Sequence, residues 1–350
     1  MNLFQHSSSQ GQGFVFKQLP ISVKRHTSQA PCTWGYEREE VRAACISCFS
    51  QPCRKFSPAE ISAPPEIDLV RDFNPDVCPV DAITWCSETN TPKIDQDQCI
   101  GCGLCVARCP VGAMYLSDGK ATVGPPDALV ESKLTRVDEA QAGTQDNQLK
   151  RLPKVQYLAP IDDDAAVLSV TLKLTSISDQ SKVVARVTRN VLVALGLRAA
   201  LGREGNVHHR MDGFLTWRGG AGGPLEIEAG QDSLEALRAI LDSLAVLHSQ
   251  FSWPLLELKP LIVYVSLPTE RQEYWLVNRD IHRILGLRIP SVTVGALLLL
   301  LWSGEELSLE TLDKIAESLG AKTIRQIIAD ILEREIDLPM KAFGILEPAR

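Results

Sequence analysis

The sequence has no apolar run long enough to cross a membrane and no excess of positive charge. Its longest apolar run, Val292 to Trp302, falls well short of the roughly 20 residues that a transmembrane helix needs, so we expect a buried strand or helix there. The formal net charge is −7, so nucleic-acid binding would need a local basic patch. The N-terminal residues also lack the basic, apolar and small-residue parts of a secretory signal. We therefore expect a cytoplasmic protein without a membrane partner.

Ten cysteines are present, and their spacing indicates metal ligation. In a reducing compartment, closely spaced cysteine pairs favour a metal or cluster site over disulfides. Residues 99–110 read C-x2-C-x2-C-x3-C-P. Within and after this run, residues 109–114 read C-P-V-G-A-M, and residues 78–83 read C-P-V-D-A-I. Two such boxes in tandem indicate an internal repeat.

These motifs resemble those of bacterial dicluster ferredoxins. The resemblance implies an α+β ferredoxin-like module over residues 37–124 with two [4Fe-4S] clusters, in which the last cysteine of the run ligates the other cluster. The implied ligands of the first cluster are Cys45, Cys48, Cys53 and Cys109. Those of the second are Cys78, Cys99, Cys102 and Cys105.

Several features of this region leave alternatives open. Cys53 follows Cys48 at a longer spacing than the family has, and the proline-rich stretch between Cys53 and Cys78 predicts an extended loop covering one cluster. Zinc is the alternative occupant, because C-x2-C pairs also bind zinc. Cys32 and Cys86 are not needed as ligands, so we interpret both as packing thiols.

The rest of the chain predicts a second, larger domain. Residues 1–36 form an N-terminal arm and residues 125–154 a polar, glycine- and proline-rich linker. Residues 155–304 alternate strand and helix patterns, which predicts an α/β sandwich with helices on both faces of its sheet. We predict strands at 167–174, 208–217, 225–229, 260–267 and 289–302, and helices at 181–201, 233–251 and 269–285. Residues 305–350 predict C-terminal helices that dock on this domain or on a partner chain.

Three acidic residues of this domain are expected to cluster. Glu226 and Glu228 lie two apart on a predicted strand and so share one face. Hairpin pairing with the preceding strand would bring Asp212 beside them. Clustered carboxylates are costly without a cation, and Mg²⁺ or Mn²⁺ suits such a site. The alternative is an ordinary solvated strand face.

This arrangement resembles the PD-(D/E)xK, restriction-endonuclease-like superfamily. The resemblance implies that Asp212 and Glu226 are metal ligands, and that Glu228, where the family usually has lysine, is a base or a second-metal ligand. Several arginines between residues 186 and 218 could supply a DNA-binding patch. Two functions follow. The protein is a metal-dependent DNA endonuclease whose clusters are structural or redox-sensing. Alternatively, it passes electrons to a redox partner protein, and its C-terminal domain is a non-catalytic docking module.

Overall fold

The structure is a computed structural model, and it divides the chain into two compact units. It describes residues 51–67, 69, 71–86, 91–109, 114–117, 119–123, 164–203, 211–230, 233–317, 323–339 and 342–348. One unit comprises Met1–Ser57 and Pro75–Asp162, and the other comprises Pro58–Asn74 and Asp163–Arg350. Several features of the predicted organisation lie outside the described residues: the arm at 1–36, Cys32, Cys45, Cys48, the linker at 125–154 and Arg210.

The first unit contains two β-hairpins that reproduce the sequence repeat. Strand β1 (Ile83–Cys86) pairs antiparallel with β2 (Thr91–Ile94), and β3 (Met114–Ser117) pairs antiparallel with β4 (Lys120–Val123). Each hairpin follows one of the two C-P-V-x-A boxes. The short helix α1 (Leu104–Ala107) lies between the two hairpins in the chain. The internal repeat is therefore confirmed at the level of backbone structure.

The second unit is built on a five-stranded mixed sheet. The strands in spatial order are β5 (Arg198–Leu201), β6 (Gly213–Thr216), β7 (Gly222–Glu228), β8 (Leu261–Tyr264) and β9 (Ser291–Thr293). The first three strands form an antiparallel meander, whereas β7, β8 and β9 are parallel. All four residues of β8 are buried, and successive side chains of a strand point to opposite faces. Both faces of this central strand are therefore covered.

Helices precede, connect and follow these strands. They are α2 (Ala166–Ser176), α3 (Gln180–Ala194), α4 (Ser233–Phe251), α5 (Tyr274–Leu285), α6 (Val294–Trp302), α7 (Leu309–Ala316) and α8 (Ile324–Leu332), with a 3-10 turn at Ala342–Gly344. Helix α4 matches the predicted bounds. Helices α4 and α5 make the crossovers that the parallel strands require. Within the described part of the chain, no helix has the length and apolarity to span a bilayer.

Two predicted strands and the end of one predicted helix are wrong. The helix predicted at 181–201 ends at Ala194, and Arg198–Leu201 instead form β5. Residues 167–174 belong to α2, since the same apolar positions that alternate also recur three and four apart, and Val167, Val170, Thr171 and Leu174 are buried together. The predicted strand at 289–302 ends at Thr293, whose side chain accepts a hydrogen bond from the Ala296 amide and begins α6. Every residue of α6 is buried, so its sequence has no polar face to reveal a helical period.

The stretch between Cys53 and Cys78 also differs from the prediction of a loop over a cluster. Most of it, Pro58–Asn74, belongs to the second unit. The Ala199 amide donates to the Glu60 carbonyl at 3.1 Å, and the Asp72 amide donates to the Leu201 carbonyl at 2.9 Å. These bonds satisfy the outer edge of β5, and an unpaired strand edge is otherwise open to aggregation.

The C-terminal helices dock on the second unit itself, one of the two alternatives expected from the sequence. Helices α7 and α8 contact each other, and α8 contacts the buried helix α6. The Arg334 guanidinium donates two hydrogen bonds of 2.7 Å to the buried Asp164 carboxylate. The Thr293 hydroxyl donates to the Ile345 carbonyl at 2.6 Å. The C-terminal segment is therefore part of the same packed unit.

Candidate iron–sulfur and acidic sites

The four cysteines predicted for the second cluster lie together. Cys78, Cys99, Cys102 and Cys105 line one cavity. Cys78 precedes the first hairpin, and Cys99 ends a turn in which its amide donates to the Asp95 carbonyl at 3.1 Å. The other two cysteines lie beside and within α1. Elements far apart in the chain thus converge on one set of sulfur atoms.

The backbone around this cavity suits a sulfur-ligated group. The Ala82 amide donates to Cys78 Sγ at 3.2 Å, and the Ala121 amide donates to Cys99 Sγ at 3.3 Å. Such bonds stabilise negative charge on sulfur. Gly101 has φ +78°, and a Cβ atom there would lie 2.0 Å from the Gly119 carbonyl oxygen. Only glycine therefore permits this close approach of the ligand loop to the β3–β4 turn.

The thiols of this set require a positive charge in order to ionise together. Burial raises the pKa of Cys102 and Cys105, and charges on neighbouring thiolates raise both further. Burial also raises the pKa of Cys78, although the amides of Val80 and Ala82 oppose this. Four thiolates in a poorly solvated cavity repel one another unless cations lie between them. The donor set and its cavity therefore fit an iron–sulfur cluster, whose irons supply that charge.

Two of the ligands predicted for the first cluster are described, and both are buried. Cys53 is 7% exposed and so is Cys109. Arg108, which sequence reasoning missed, connects their two chain segments: its Nε donates to the Pro52 carbonyl at 2.8 Å. Its guanidinium also stacks on the Phe56 ring, 4.3 Å from the centroid. The sequence signal that could have revealed this contact is a charged residue between two cysteines of the C-x2-C-x2-C-x3-C run.

Comparison with known proteins identifies the module. Residues 92–115 match the family model of the 4Fe-4S binding domain. The chain contains a ferredoxin-like [4Fe-4S] module. The match includes Cys99, Cys102, Cys105 and Cys109, so it favours iron–sulfur ligation over zinc in this module.

The relatives are named as uncharacterized ferredoxins or as a ferredoxin-like protein, and they share only part of their length with this chain. An uncharacterized ferredoxin of Methanocaldococcus jannaschii is 28% identical over 74 residues, which are 21% of this chain and 34% of the relative. The uncharacterized ferredoxin-like protein YdhX of Escherichia coli K12 is 34% identical over 131 residues, 37% of this chain and 46% of the relative. A second Methanocaldococcus jannaschii ferredoxin is 25% identical over 138 residues, 37% of this chain and 69% of the relative. The chain thus spans between a third and a half of the first two. No solved structure matches it.

In the second unit, the hairpin brings the acidic residues together as predicted. The register pairs Gly213 with Leu225, which places Asp212 beside Glu226 on the neighbouring strand. Asp212 Oδ2 accepts a hydrogen bond of 2.8 Å from the Ile227 amide. Between the strands, residues 217–221 form a glycine-rich turn, in which the Trp217 amide donates a hydrogen bond of 2.8 Å to the Ala221 carbonyl.

The carboxylates of this hairpin influence one another strongly. Burial, followed by the charges of Asp212 and Glu228, raises the pKa of Glu226 to about 9. Burial also raises the pKa of Asp212 to about 6, against the effect of the Ile227 amide. Glu226 Oε2 is buried without a hydrogen-bond partner. These groups therefore differ from an ordinary solvated strand face, the alternative interpretation.

The observed geometry leaves the metal assignment a prediction. In the described residues, no three His, Cys, Asp or Glu side chains are grouped so that they could hold a single metal ion. Glu228 Oε1 instead accepts a hydrogen bond of 2.6 Å from the Gly230 amide.

Two further observations bear on this hairpin. Tyr264, 1% exposed, pairs with Glu228 in the β7–β8 register, and sequence reasoning missed it because parallel pairing is set by the crossover helix. Two arginines of the expected DNA-binding patch are engaged within the unit, and the patch itself stays a prediction. Arg189 is fully buried in α3, and Arg218 forms an ion pair with Glu306 at 3.5 Å.

Proposed function

We propose that this iron–sulfur protein binds two [4Fe-4S] clusters and hydrolyses phosphodiester bonds at the acidic hairpin of its second unit. The observation that carries the hydrolytic part is the proximity of Asp212, Glu226 and Glu228 on β6 and β7. The order of elements supports it: helix α3, the meander β5–β7, helix α4 and the parallel strand β8 follow the order expected of a restriction-endonuclease-like core.

Each acidic residue has a role in this proposal. Asp212 and Glu226 would hold Mg²⁺ or Mn²⁺, which would supply Lewis-acid activation of water and neutralise the leaving oxygen. The Ile227 amide fixes one oxygen of Asp212 and thereby orients the other. Glu228, once released from the Gly230 amide, would accept the proton of the attacking water. DNA is the proposed substrate.

A cleavage assay tests the hydrolytic proposal. Anaerobically purified protein is incubated with Mg²⁺ or Mn²⁺ and with single- and double-stranded DNA and RNA. We expect metal-dependent cleavage that is lost in Asp212→Ala and Glu226→Ala while the visible absorbance of the clusters is retained. Glu257→Gln is the matched control, since it removes an exposed acid elsewhere in the same unit. The absence of cleavage in the wild-type protein with every substrate contradicts the proposal.

Iron and sulfide analysis tests the number of clusters separately. Two cubes predict about eight irons and about eight inorganic sulfides per chain, and one cube predicts about four of each. In the Cys45→Ser and Cys78→Ser variants, we expect loss of one cube each, because each cysteine is assigned to a different cluster. A wild-type protein with about four irons contradicts the two-cluster proposal.

Electron transfer to a redox partner protein is a second candidate, favoured by the ferredoxin names of the relatives and by Glu228 at the usual lysine position. In this case the second unit is a docking module, and the acidic residues serve only its stability. The reduced protein should then pass electrons to an acceptor at equal rates in the wild type and in Asp212→Ala. Cluster reduction without transfer to any acceptor tested contradicts this candidate.

A further inference from the structure

A buried cation lies in the ferredoxin-like module next to a ligand cysteine. Arg108 is 5% exposed, although arginine is almost never fully buried without compensation. Its Nε is 2.8 Å from the Pro52 carbonyl oxygen, and its guanidinium lies 4.3 Å from the centroid of the Phe56 ring. These contacts fix the plane of the guanidinium and hold its charge inside the module.

The position of Arg108 in the chain gives these contacts their significance. Arg108 immediately precedes Cys109, and the carbonyl it binds belongs to Pro52, which immediately precedes Cys53. Both cysteines are buried, and both are assigned to the first cluster. The hydrogen bond therefore joins two segments that are more than 50 positions apart in the chain and that each present one ligand of the same cluster.

We propose that Arg108 is a positioning residue of the first cluster: it holds the Cys53 and Cys109 segments together, and its charge offsets part of the negative charge of the ligated cluster. This inference rests on the proposed two-cluster content. It concerns a different part of the molecule from the acidic hairpin, so it does not depend on hydrolytic activity.

The charge has a predictable effect on reduction. A cube with four thiolates is anionic, and its negative charge grows when it takes up an electron. A cation held in a poorly solvated interior stabilises the reduced form more than the oxidised form, because interactions between charges are stronger there than in water. Removing this cation should therefore lower the reduction potential of the first cluster.

The test compares three variants by redox titration followed by electron paramagnetic resonance, with iron content measured in parallel. Arg108→Gln removes both the charge and the planar guanidinium that stacks on Phe56. Arg108→Lys keeps the charge but loses the planar fork that stacks on Phe56. Arg54→Gln is the matched control, because Arg54 follows Cys53 directly and stacks on an aromatic ring, Trp85, at 5.1 Å but is only half-buried.

We expect one cluster potential to fall in Arg108→Gln and to stay near the wild-type value in Arg108→Lys. In Arg54→Gln the change should be smaller, since solvent screens a half-exposed charge. Both Arg108 variants should lose about half of their iron to a chelator faster than the wild type does. The Arg108→Lys variant thus separates the effect of the charge on the potential from the effect of the guanidinium geometry on iron retention.

The contrary outcomes are equally specific. Equal potentials and equal rates of iron loss in the wild type and Arg108→Gln overturn the proposal. If Arg108→Gln assembles only one cluster, the Arg108→Lys variant provides the test. If Arg108→Lys loses iron to the chelator at the same rate as the wild type, the positioning role is overturned. A wild-type protein with a single cluster contradicts the two-cluster proposal itself, and the iron analysis detects this before any variant is made.

Discussion

Replacing Gly101 with alanine should disrupt the ligand loop far more than the same replacement at Gly119, although the two residues touch. Both have left-handed backbone conformations, with φ +78° and +69°. A side chain in this region costs about 1–2 kcal/mol at either position. The difference arises from space. A Cβ on Gly101 would lie 2.0 Å from the Gly119 carbonyl oxygen, whereas a Cβ on Gly119 would have no atom within 4 Å.

The additional cost at Gly101 can be estimated from this contact. A Cβ atom essentially never approaches another heavy atom more closely than 3.0 Å, so the ligand loop and the β3–β4 turn must separate by about 1 Å. Overpacking of this kind costs about 1–3 kcal/mol. We therefore expect Gly101→Ala to destabilise the module by about 2–5 kcal/mol, and Gly119→Ala by about 1–2 kcal/mol.

Thermal unfolding of the anaerobic protein, followed by loss of visible cluster absorbance, measures this difference. Gly101→Ala should lose its absorbance at a temperature several degrees below that of Gly119→Ala, and it should be purified with less iron. The separation also displaces the Ala121 amide from Cys99 Sγ, so the remaining cluster should be more exposed to chelators. Equal melting temperatures and equal iron contents in the two variants would refute the steric argument.

Two further predictions concern the second unit. Asp164 is buried, yet hydrogen bonds from Arg334 outweigh this burial and lower its pKa, so Asp164→Asn should cost about 1–3 kcal/mol at neutral pH. Urea denaturation should show this difference shrinking as pH falls through the lowered pKa, and a pH-independent difference would contradict it. Burial and the neighbouring acids Asp212 and Glu228 raise the pKa of Glu226 to about 9 in the folded protein. The wild type therefore loses stability as pH rises from the pKa that Glu226 has in the unfolded chain towards its pKa in the folded protein. Glu226→Gln should therefore be more stable than the wild type at alkaline pH with a chelator, by about 1–2 kcal/mol, and an equal or lower stability contradicts this.

Local chemistry made part of the structure predictable from the sequence. The cysteine spacing predicted four cysteines that line one cavity, since each short interval must be spanned by a tight turn around a common centre. The hairpin between Asp212 and Glu226 was also predictable, because a glycine-rich turn between two strands sets their register. The bounds of helix α4 could be predicted from the sequence, because its polar residues interrupt the apolar ones at helical intervals.

The errors came from segments whose environment is decided by distant parts of the chain. Helix α6 is apolar on every side because other elements of its unit enclose it, so its own sequence has no period. Residues 167–174 fit two periods at once, and packing in the folded unit favours the helical one. The burial of Arg189 could likewise not be predicted from the neighbouring sequence, because charged residues are exposed in most helices.

The path of residues 58–74 has a consequence for how this protein can be divided. The chain leaves the ferredoxin-like module five residues after Cys53, pairs with β5 in the second unit and returns three residues before Cys78. A polypeptide cut after residue 124 would keep every cysteine but would leave the buried side chains of Ile61, Ile67 and Leu69 without their packing partners. The ferredoxin-like module is therefore built from two separate stretches of the chain, and a fragment of residues 1–124 should not fold as an independent unit.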